Sequence, residues 1–253
     1  MPLNNWFIAC NDFNTPTAKE LASRLGIGFG KSPKRSRTRI IRWGFSGNLS
    51  RRQLVETLYF PNYAAIQLCA NKLESLIALD AADVPVPDWY TSENDLRDAR
   101  YPLYSRKLYH TMGKDIIMVH DIDEARRQFR NNRYLVESIP YKKEYRIHVF
   151  GNEIISCSKK YFREELWERL GRPEMRDIIR NNERGWGYYD IQDFNSVPQE
   201  VRNQAINSVR ALGLIWGAVD LIRTPNNDVY VFEVNSAPGL RNRRVDIYVN
   251  KFR

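Results

Sequence analysis

Apolar positions follow two rhythms along the chain. In residues 15–25, TPTAKELASRL, Ala and Leu recur at helical spacing behind a Thr cap, and Gly26 supplies a stop. RIIRWGF reads as a strand running into a glycine turn, and a further helix is expected from about Ser50 through RRQLVETLYF to Pro61. Across AIQLCANKLESLIALDAADVPVP one long amphipathic helix is expected. Leu68, Leu73, Leu76, Ile77 and Leu79 form its apolar side, and DVPVP ends it. YPLYSRKLY and DIIMV, joined by HTMGK, have strand character, while DIDEARRQF opens on an Asp and continues as a helix.

From residue 134 the pattern changes to an antiparallel series: RYLVESI, EYRIHVFG, EIISCSKKYF, then GLIWGAVDLIR and VYVFEVN around the turn TPNND. The amphipathic segment PQEVRNQAINSVRALG precedes that last hairpin. Antiparallel strands with helices against one face make an α+β architecture rather than a doubly wound parallel sheet. The expected organisation is a short α/β unit over residues 1–66, a first α+β subdomain over 67–136 and a second over 137–253.

Composition narrows the class. At 253 residues and 43% hydrophobic content the chain is long enough for a sizeable core. No apolar run approaches the eighteen residues of a membrane-spanning helix, and MPLNNWFIACNDF lacks the order of a signal peptide, so a cytoplasmic protein without membrane association is expected. Cys10, Cys69 and Cys157 are scattered, which fits core thiols and neither a disulfide framework nor a cysteine metal site. His110, His120 and His148 show no metal-binding spacing. The formal charge of +9 suggests acidic partners: nucleotides, phosphorylated substrates, acidic peptides or nucleic acid. It is densest in KSPKRSRTRIIR, with Lys31, Lys34, Arg35, Arg37, Arg39 and Arg42, which reads equally as a solvated loop or an anion-binding patch.

Candidate chemistry concentrates in VYVFEVNSAPGL. Residues two apart on a strand share a face, so Glu233 and Asn235 point the same way. If TPNND closes a simple hairpin, Asp220 lies roughly opposite Glu233, and three oxygen ligands share one patch. Asp, Glu and Asn oxygens in so small a number suit magnesium, which keeps waters and takes further oxygens from substrate phosphates. A polar strand face turned to water fits the same residues.

The order Asp220, turn, Glu-x-Asn-x-x-Pro-Gly resembles the C-terminal signature of the ATP-grasp superfamily. The resemblance extends over roughly residues 70–240 and implies the ATP-grasp fold, two α+β subdomains enclosing ATP. It implies Asp220, Glu233 and Asn235 as ligands of one or two magnesium ions, for which manganese can substitute. NKLESLIALDAADVPVPDWY is similar to the lysine-led helix that opens such domains. In YPLYSRKLYHTMGKDIIMV the family's phosphate-binding lysine is replaced by Arg106 with Lys107 beside it, and strand alternation lets one of the two face the cleft; register favours Arg106. The loop that follows carries Gly113 over the phosphates. YLVESIPYKKEYRIHVFG resembles the linker and strand that hold adenine and ribose, which implies Glu137, Ser138 and Ile139 as nucleotide contacts. Arg146 matches the arginine of ligase-type relatives such as ribosomal-protein glutamate ligases and glutathione synthetases, and Lys160 follows as a phosphate contact. NNERGWGYYD stands where those ligases carry a mobile loop, which implies Asn182 and Arg184 near the reaction centre, with Gly185 and Gly187 as hinges. IRWGFS resembles a Trp-Gly element of compact, often phage-encoded ATP-grasp ligases, which would act in a host cytoplasm.

The resemblance implies a carboxylate-amine ligase that works through an acyl phosphate and releases ADP and phosphate, with small-molecule or peptide carboxylate and amine substrates of acidic character. An ATP-grasp kinase that phosphorylates a hydroxyl is the nearest alternative. A basic nucleic-acid-binding protein with a degenerate nucleotide fold is a second, disfavoured by the intact Asp, Glu and Asn set. Oligomeric state is not legible.

Overall fold

The computed structural model describes residues 6–11, 15–31, 39–47, 63–109, 115–129, 131, 133–174 and 176–253. The helix expected around residues 50–61, most of the basic run and the glycine loop at 110–114 lie outside these residues.

The chain begins with β1 (Trp6–Ala9), α1 (Pro16–Leu25), β2 (Gly28–Gly30) and β3 (Arg39–Arg42). The three strands form a parallel sheet in the order β2-β1-β3. α1 ends where expected, at Gly26 in the left-handed conformation. Thr15 stands at the N-cap but its side chain makes no capping bond; Pro16 at the first helical position starts the helix instead.

The single long helix expected next is two helices, α2 (Tyr63–Ala70) and α3 (Lys72–Asp80). Asn71 separates them: its backbone is extended and its side chain accepts a hydrogen bond from the Glu74 amide, so it caps a new helix rather than continuing the old one. The buried stripe accordingly consists of Ala65, Ile66, Cys69, Leu76 and Leu79, and Ile77 is exposed.

β4 (Trp89–Tyr90), β5 (Leu103–Lys107), β6 (Ile117–Val119), α4 (Ile122–Phe129) and β7 (Arg133–Glu137) follow. Their strands make an antiparallel sheet in the order β4-β7-β5-β6. β7 thus belongs to this sheet and not to the antiparallel series after it. That series is β8 (Lys143–Phe150), β9 (Glu153–Phe162), α5 (Glu164–Arg169), β10 (Trp186–Ile191), α6 (Gln199–Ala211), β11 (Trp216–Arg223), β12 (Val229–Asn235) and α7 (Arg243–Phe252). Its strands form a five-stranded sheet, β10-β9-β8-β11-β12, which makes the protein α+β as expected.

The two faces of the five-stranded sheet differ. One packs Ile147, Val219, Leu221, Val231 and Val234 against α6, α2 and α3 in the largest apolar cluster, which Tyr134 and Val136 of β7 join. The other buries Trp216 at one end in a second cluster with Trp6, Ile8 and Trp43 of the N-terminal unit and Tyr248 and Phe252 of α7. Further along that face Ala218 and Ile222 are also buried, and between them it turns polar at Asp220 and the residues beside it. All three cysteines are buried free thiols. Among the described residues no helix is long and apolar enough to cross a membrane.

Candidate functional site

The polar face is organised around the last hairpin. Outward from the turn at 224–228, Arg223 faces Val229, Ile222 faces Tyr230 and Leu221 faces Val231. A regular ladder would set Asp220 opposite Phe232 and turn Glu233 to the other side. The register shifts by one residue after Leu221, so that Asp220 faces Glu233 and Ala218 faces Asn235. The opposition expected from a simple hairpin therefore exists, but a β-bulge at Phe232 produces it. Val231 and Val234 are fully buried on either side, while Phe232 and Glu233 between them are half-buried. The Asn235 amide lies 3.5 Å from Asp220 Oδ2, which completes the trio.

Cations surround these oxygens. Arg146 on β8, cross-strand from Asp220, donates from Nε to Oδ1 and from Nη2 to Oδ2 at 2.7 Å each, a bidentate fork. Burial works against the charge on Arg146, Asp220 outweighs it, and the guanidinium is held above its ordinary value. Lys72 Nζ, at the start of α3, lies 2.8 Å from Glu233 Oε1. Its ammonium is likewise raised on balance, with burial opposed chiefly by Glu233. Arg106 on β5 is buried and bears electrostatically on Lys72 and on Tyr134, its cross-strand neighbour. Lys107 points the other way and pairs at the surface with Asp115 at 2.9 Å. Alternation along β5 thus turns Arg106, not Lys107, toward the trio.

A second acidic centre lies beside the first. Glu144, two residues before Arg146 and on the same face, is paired with Lys160 of β9 and with Arg180 Nε at 2.7 Å. Tyr188 of β10 packs its ring under both Arg146, 4.9 Å from the centroid, and Lys160, 5.1 Å away. Burial and the charge of Asp220 keep its hydroxyl protonated far above the usual tyrosine range. Glu137, Ser138 and Ile139 sit at the end of β7 and on the linker to β8, half-buried. The Glu137 amide donates to Asp88 O, and burial followed by Asp88 raises its carboxyl.

Asn182 and Arg184 stand apart from this cluster. Asn182 Oδ1 accepts from Arg163 at 2.6 Å, and Arg184 Nε donates to Glu174 O at 3.1 Å. The second half of the segment expected as a mobile loop is the edge strand β10, hydrogen-bonded to β9 from Trp186 to Ile191, and its first half holds a 3-10 turn at Asn182–Arg184. Gly185 is not a free hinge: it is left-handed, φ 83°, and a Cβ there would lie 2.6 Å from Trp167 Cβ. Gly113 falls outside the described residues.

Glu144, Arg180 and Tyr188 complete the site without having been singled out as site residues, and with them stands Lys72, the lysine that leads the helix in NKLESLIALDAADVPVPDWY. Glu144 was findable by counting two back from Arg146 along a strand. Lys72 is legible only through the resemblance to a lysine-led helix; the apolar pattern, which reads as one continuous helix, does not mark it, and the break at Asn71 is what puts it at a helix start. Arg180 and Tyr188 depend on the fold of the 163–186 segment.

Among the described residues no three His, Cys, Asp or Glu side chains converge tightly enough to hold a metal unaided. Two carboxylates and a carboxamide facing a ring of Lys and Arg fit a hard cation that shares its shell with an anionic ligand, which is the way magnesium travels with polyphosphates.

Comparison with known proteins bears on the same residues. Residues 72–251 match the family model of the RimK-like ATP-grasp domain. A probable alpha-L-glutamate ligase of Hahella chejuensis is 27% identical over 214 residues, covering 78% of this chain and 65% of that protein. This chain therefore spans somewhat under two thirds of that relative's length. The D-alanine–D-alanine ligase of Bacillus anthracis superposes with a TM-score of 0.63 at 13% identity, over 93% of this chain and 87% of that one. The L-amino acid ligase of Bacillus licheniformis gives 0.63 at 16% identity, over 94% and 68%. Likenesses this remote in sequence speak to the ATP-grasp fold.

Proposed function

Because this chain belongs to the RimK-like ATP-grasp family, we propose that it is a carboxylate-amine ligase that uses ATP with magnesium. The observation that carries the reading is the opposed pair Asp220 and Glu233, with Asn235 beside them, ringed by cations from four separate elements: Lys72, Arg106, Arg146 and Lys160. Acid and base in that arrangement suit a metal and a polyphosphate together.

In this reading ATP held with magnesium would pass its terminal phosphoryl group to a substrate carboxylate, leaving ADP, and attack of an amine on the resulting acyl phosphate would form the amide and release phosphate. In this reading Asp220, Glu233 and Asn235 hold the metal. Arg106 and Lys72 meet the phosphate oxygens from the side of the four-stranded sheet. Arg146, preorganised by its fork on Asp220 and the Tyr188 ring, offsets charge on the transferred group. Lys160 and Arg180 serve the same purpose from the Glu144 side. Glu137, Ser138 and Ile139 line the nucleotide pocket. Asn182 and Arg184 act only after the 163–186 segment rearranges, since their partners lie elsewhere. None of these side chains has to act as a nucleophile, which agrees with all three cysteines being buried. The substrates in this reading are small acidic amino acids or peptides, in keeping with the glutamate ligase relatives.

The test is an ADP-release screen over carboxylate and amine pairs with product masses read out, run beside hydroxylamine trapping. Ligation gives amide products and a substrate-dependent hydroxamate. ADP release with a phosphorylated product and no hydroxamate would sink the ligase reading in favour of a kinase. Glu233→Ala should abolish magnesium-dependent turnover in a folded protein, and near-normal turnover in that variant would remove the metal assignment.

A further inference from the structure

Arg42 is the one member of the described basic run that is buried, with 5% of its surface accessible. Among the described residues no carboxylate pairs with it. Its hydrogen bonds run from a single nitrogen: Nη1 donates to Phe45 O at 3.5 Å and to Gly47 O at 3.0 Å. The guanidinium lies 5.8 Å from the ring of Phe45 and 5.8 Å from that of Tyr63, so aromatic surfaces border it. Nε and Nη2, the side-on pair that matches the two oxygens of a carboxylate, make no hydrogen bond among the described residues. Burial lowers the guanidinium from its ordinary value, though an arginine stays charged at any physiological pH. A buried cation without a counter-ion is costly to keep, and an anionic ligand would relieve that cost.

Its location bears on which ligand. Arg42 ends β3, at the carboxyl edge of a parallel sheet, where ligands of such sheets bind. The following turn is tied to the end of β1, with Asn11 donating to Gly44 O and accepting from the Ser46 amide. Gly44 abuts Ala237, two residues past Asn235. On the other side, Tyr63 begins α2, and Gln67 of α2 donates to Ser46 O. The far end of that helix leads directly to Lys72, and its Cys69 thiol donates to Val234 O. Eight helical residues rise roughly 12 Å. That rise is about the span of three to four extended residues, the reach of a short peptide.

Resting on the ligase reading, we infer that Arg42 is a substrate-anchoring residue whose Nε and Nη2 grip a carboxylate not consumed in the reaction, so that the substrate is an amino acid or short peptide with a second carboxylate. The Trp43–Gly47 turn and the start of α2 form the walls of this subsite, and the basic composition of residues 31–42 draws acidic molecules toward it.

The experiment titrates L-glutamate, glutarate and the neutral diamide of glutarate into the full chain by calorimetry, with magnesium and a non-hydrolysable ATP analogue present, for the wild type, Arg42→Lys and Arg42→Met. The wild type should bind both dicarboxylates and ignore the diamide. Arg42→Lys should weaken binding about 10- to 100-fold, the loss expected for a charge-assisted hydrogen-bonded pair, and Arg42→Met at least as much. Affinity for the ATP analogue should be unchanged in both variants, which shows that they are folded. Dicarboxylate affinity retained in Arg42→Met, or no binding by the wild type, overturns the inference. So does inorganic phosphate binding more tightly than either dicarboxylate in an Arg42-dependent way. If Arg42-dependent binding holds while no amide or hydroxamate forms in the ADP-release screen, the ligase reading fails and the anchor stands.

Discussion

Replacing Gly44 by alanine tests how the N-terminal unit is coupled to the metal strand. Gly44 has φ +65°, and a Cβ built on it would lie 2.7 Å from Ala237 Cβ. Two separate costs follow. The left-handed backbone costs an L-residue about 1–2 kcal/mol. The close approach cannot be relieved by rotating a side chain, because both atoms are Cβ atoms fixed to backbone, so the turn and the segment after β12 must separate, at about 1–3 kcal/mol. The sum is about 2–5 kcal/mol, or a fall in melting temperature of about 4–20 °C for a chain of this size. Thermal and denaturant unfolding of Gly44→Ala measures the sum. Adding Ala237→Gly removes the clash but not the backbone strain, so the double-mutant cycle should show a favourable coupling of about 1–3 kcal/mol. Because Trp43, next in line, stacks on Trp216 at 6.1 Å, separation here should also loosen the aromatic cluster and change the tryptophan emission. A Gly44→Ala protein as stable as the wild type, or a cycle with no coupling, would refute the idea that this turn is clamped against the strand that carries Glu233.

Other perturbations read the site itself. Arg106→Ala should weaken binding of ATP with magnesium by about tenfold or more, whereas Lys107→Ala, which loses only a surface pair with Asp115, should stay near wild type; calorimetry giving the reverse order would overturn the register assigned to β5. Lys72→Met removes the ammonium 2.8 Å from Glu233 and should raise the affinity for manganese alone, without nucleotide, on the order of tenfold by electron paramagnetic resonance; unchanged or weaker binding contradicts the pairing. His148 is wholly buried with Nδ1 3.1 Å from the Tyr248 hydroxyl, and burial, then Arg244 and Arg146, push its pKa down to about 3 from an ordinary 6.5. The unfolded chain takes up a proton that the folded one refuses, so stability should fall as pH drops through the window from 6.5 to 3, by about 1.4 kcal/mol per unit from this group. Denaturant midpoints of His148→Gln should be flatter over that window, and a slope equal to wild type would show that His148 is not the group responsible.

How much was legible depended on how local the signal was. β8, β9, β11 and β12 and the helix before the last hairpin follow period and turn chemistry and stand where the pattern puts them, while β7 is a strand as expected but pairs in the other sheet. Asp220, Glu233 and Asn235 were legible as residue types and spacing. Three things needed tertiary structure. One was the break at Asn71, where a side-chain cap outcompetes helix continuity in a segment whose apolar residues would suit either. Another was β10, whose polar, glycine-containing sequence reads as a loop but gains a partner in β9. The third was how the cations assemble: the resemblance points to Lys160 and to the lysine that leads α3, but Arg180 and the pairing of all three with Glu233 and Glu144 come only with the fold. Lys and Arg are common along this chain, and nothing in the linear pattern separates Arg180 from the rest.

The bulge at Phe232 splits β12 into two lengths that keep different time. From Val229 to Val231 the strand is counted from the turn at 224–228; from Glu233 to Asn235 it is counted from β11 alone. The extra residue acts as a slip joint between them. A change in the turn, by insertion or by mutation, can be taken up at Phe232 without rotating Glu233 or Asn235 away from Asp220. The end of the hairpin exposed to solvent can therefore drift in length while the end that faces the cations keeps its phase.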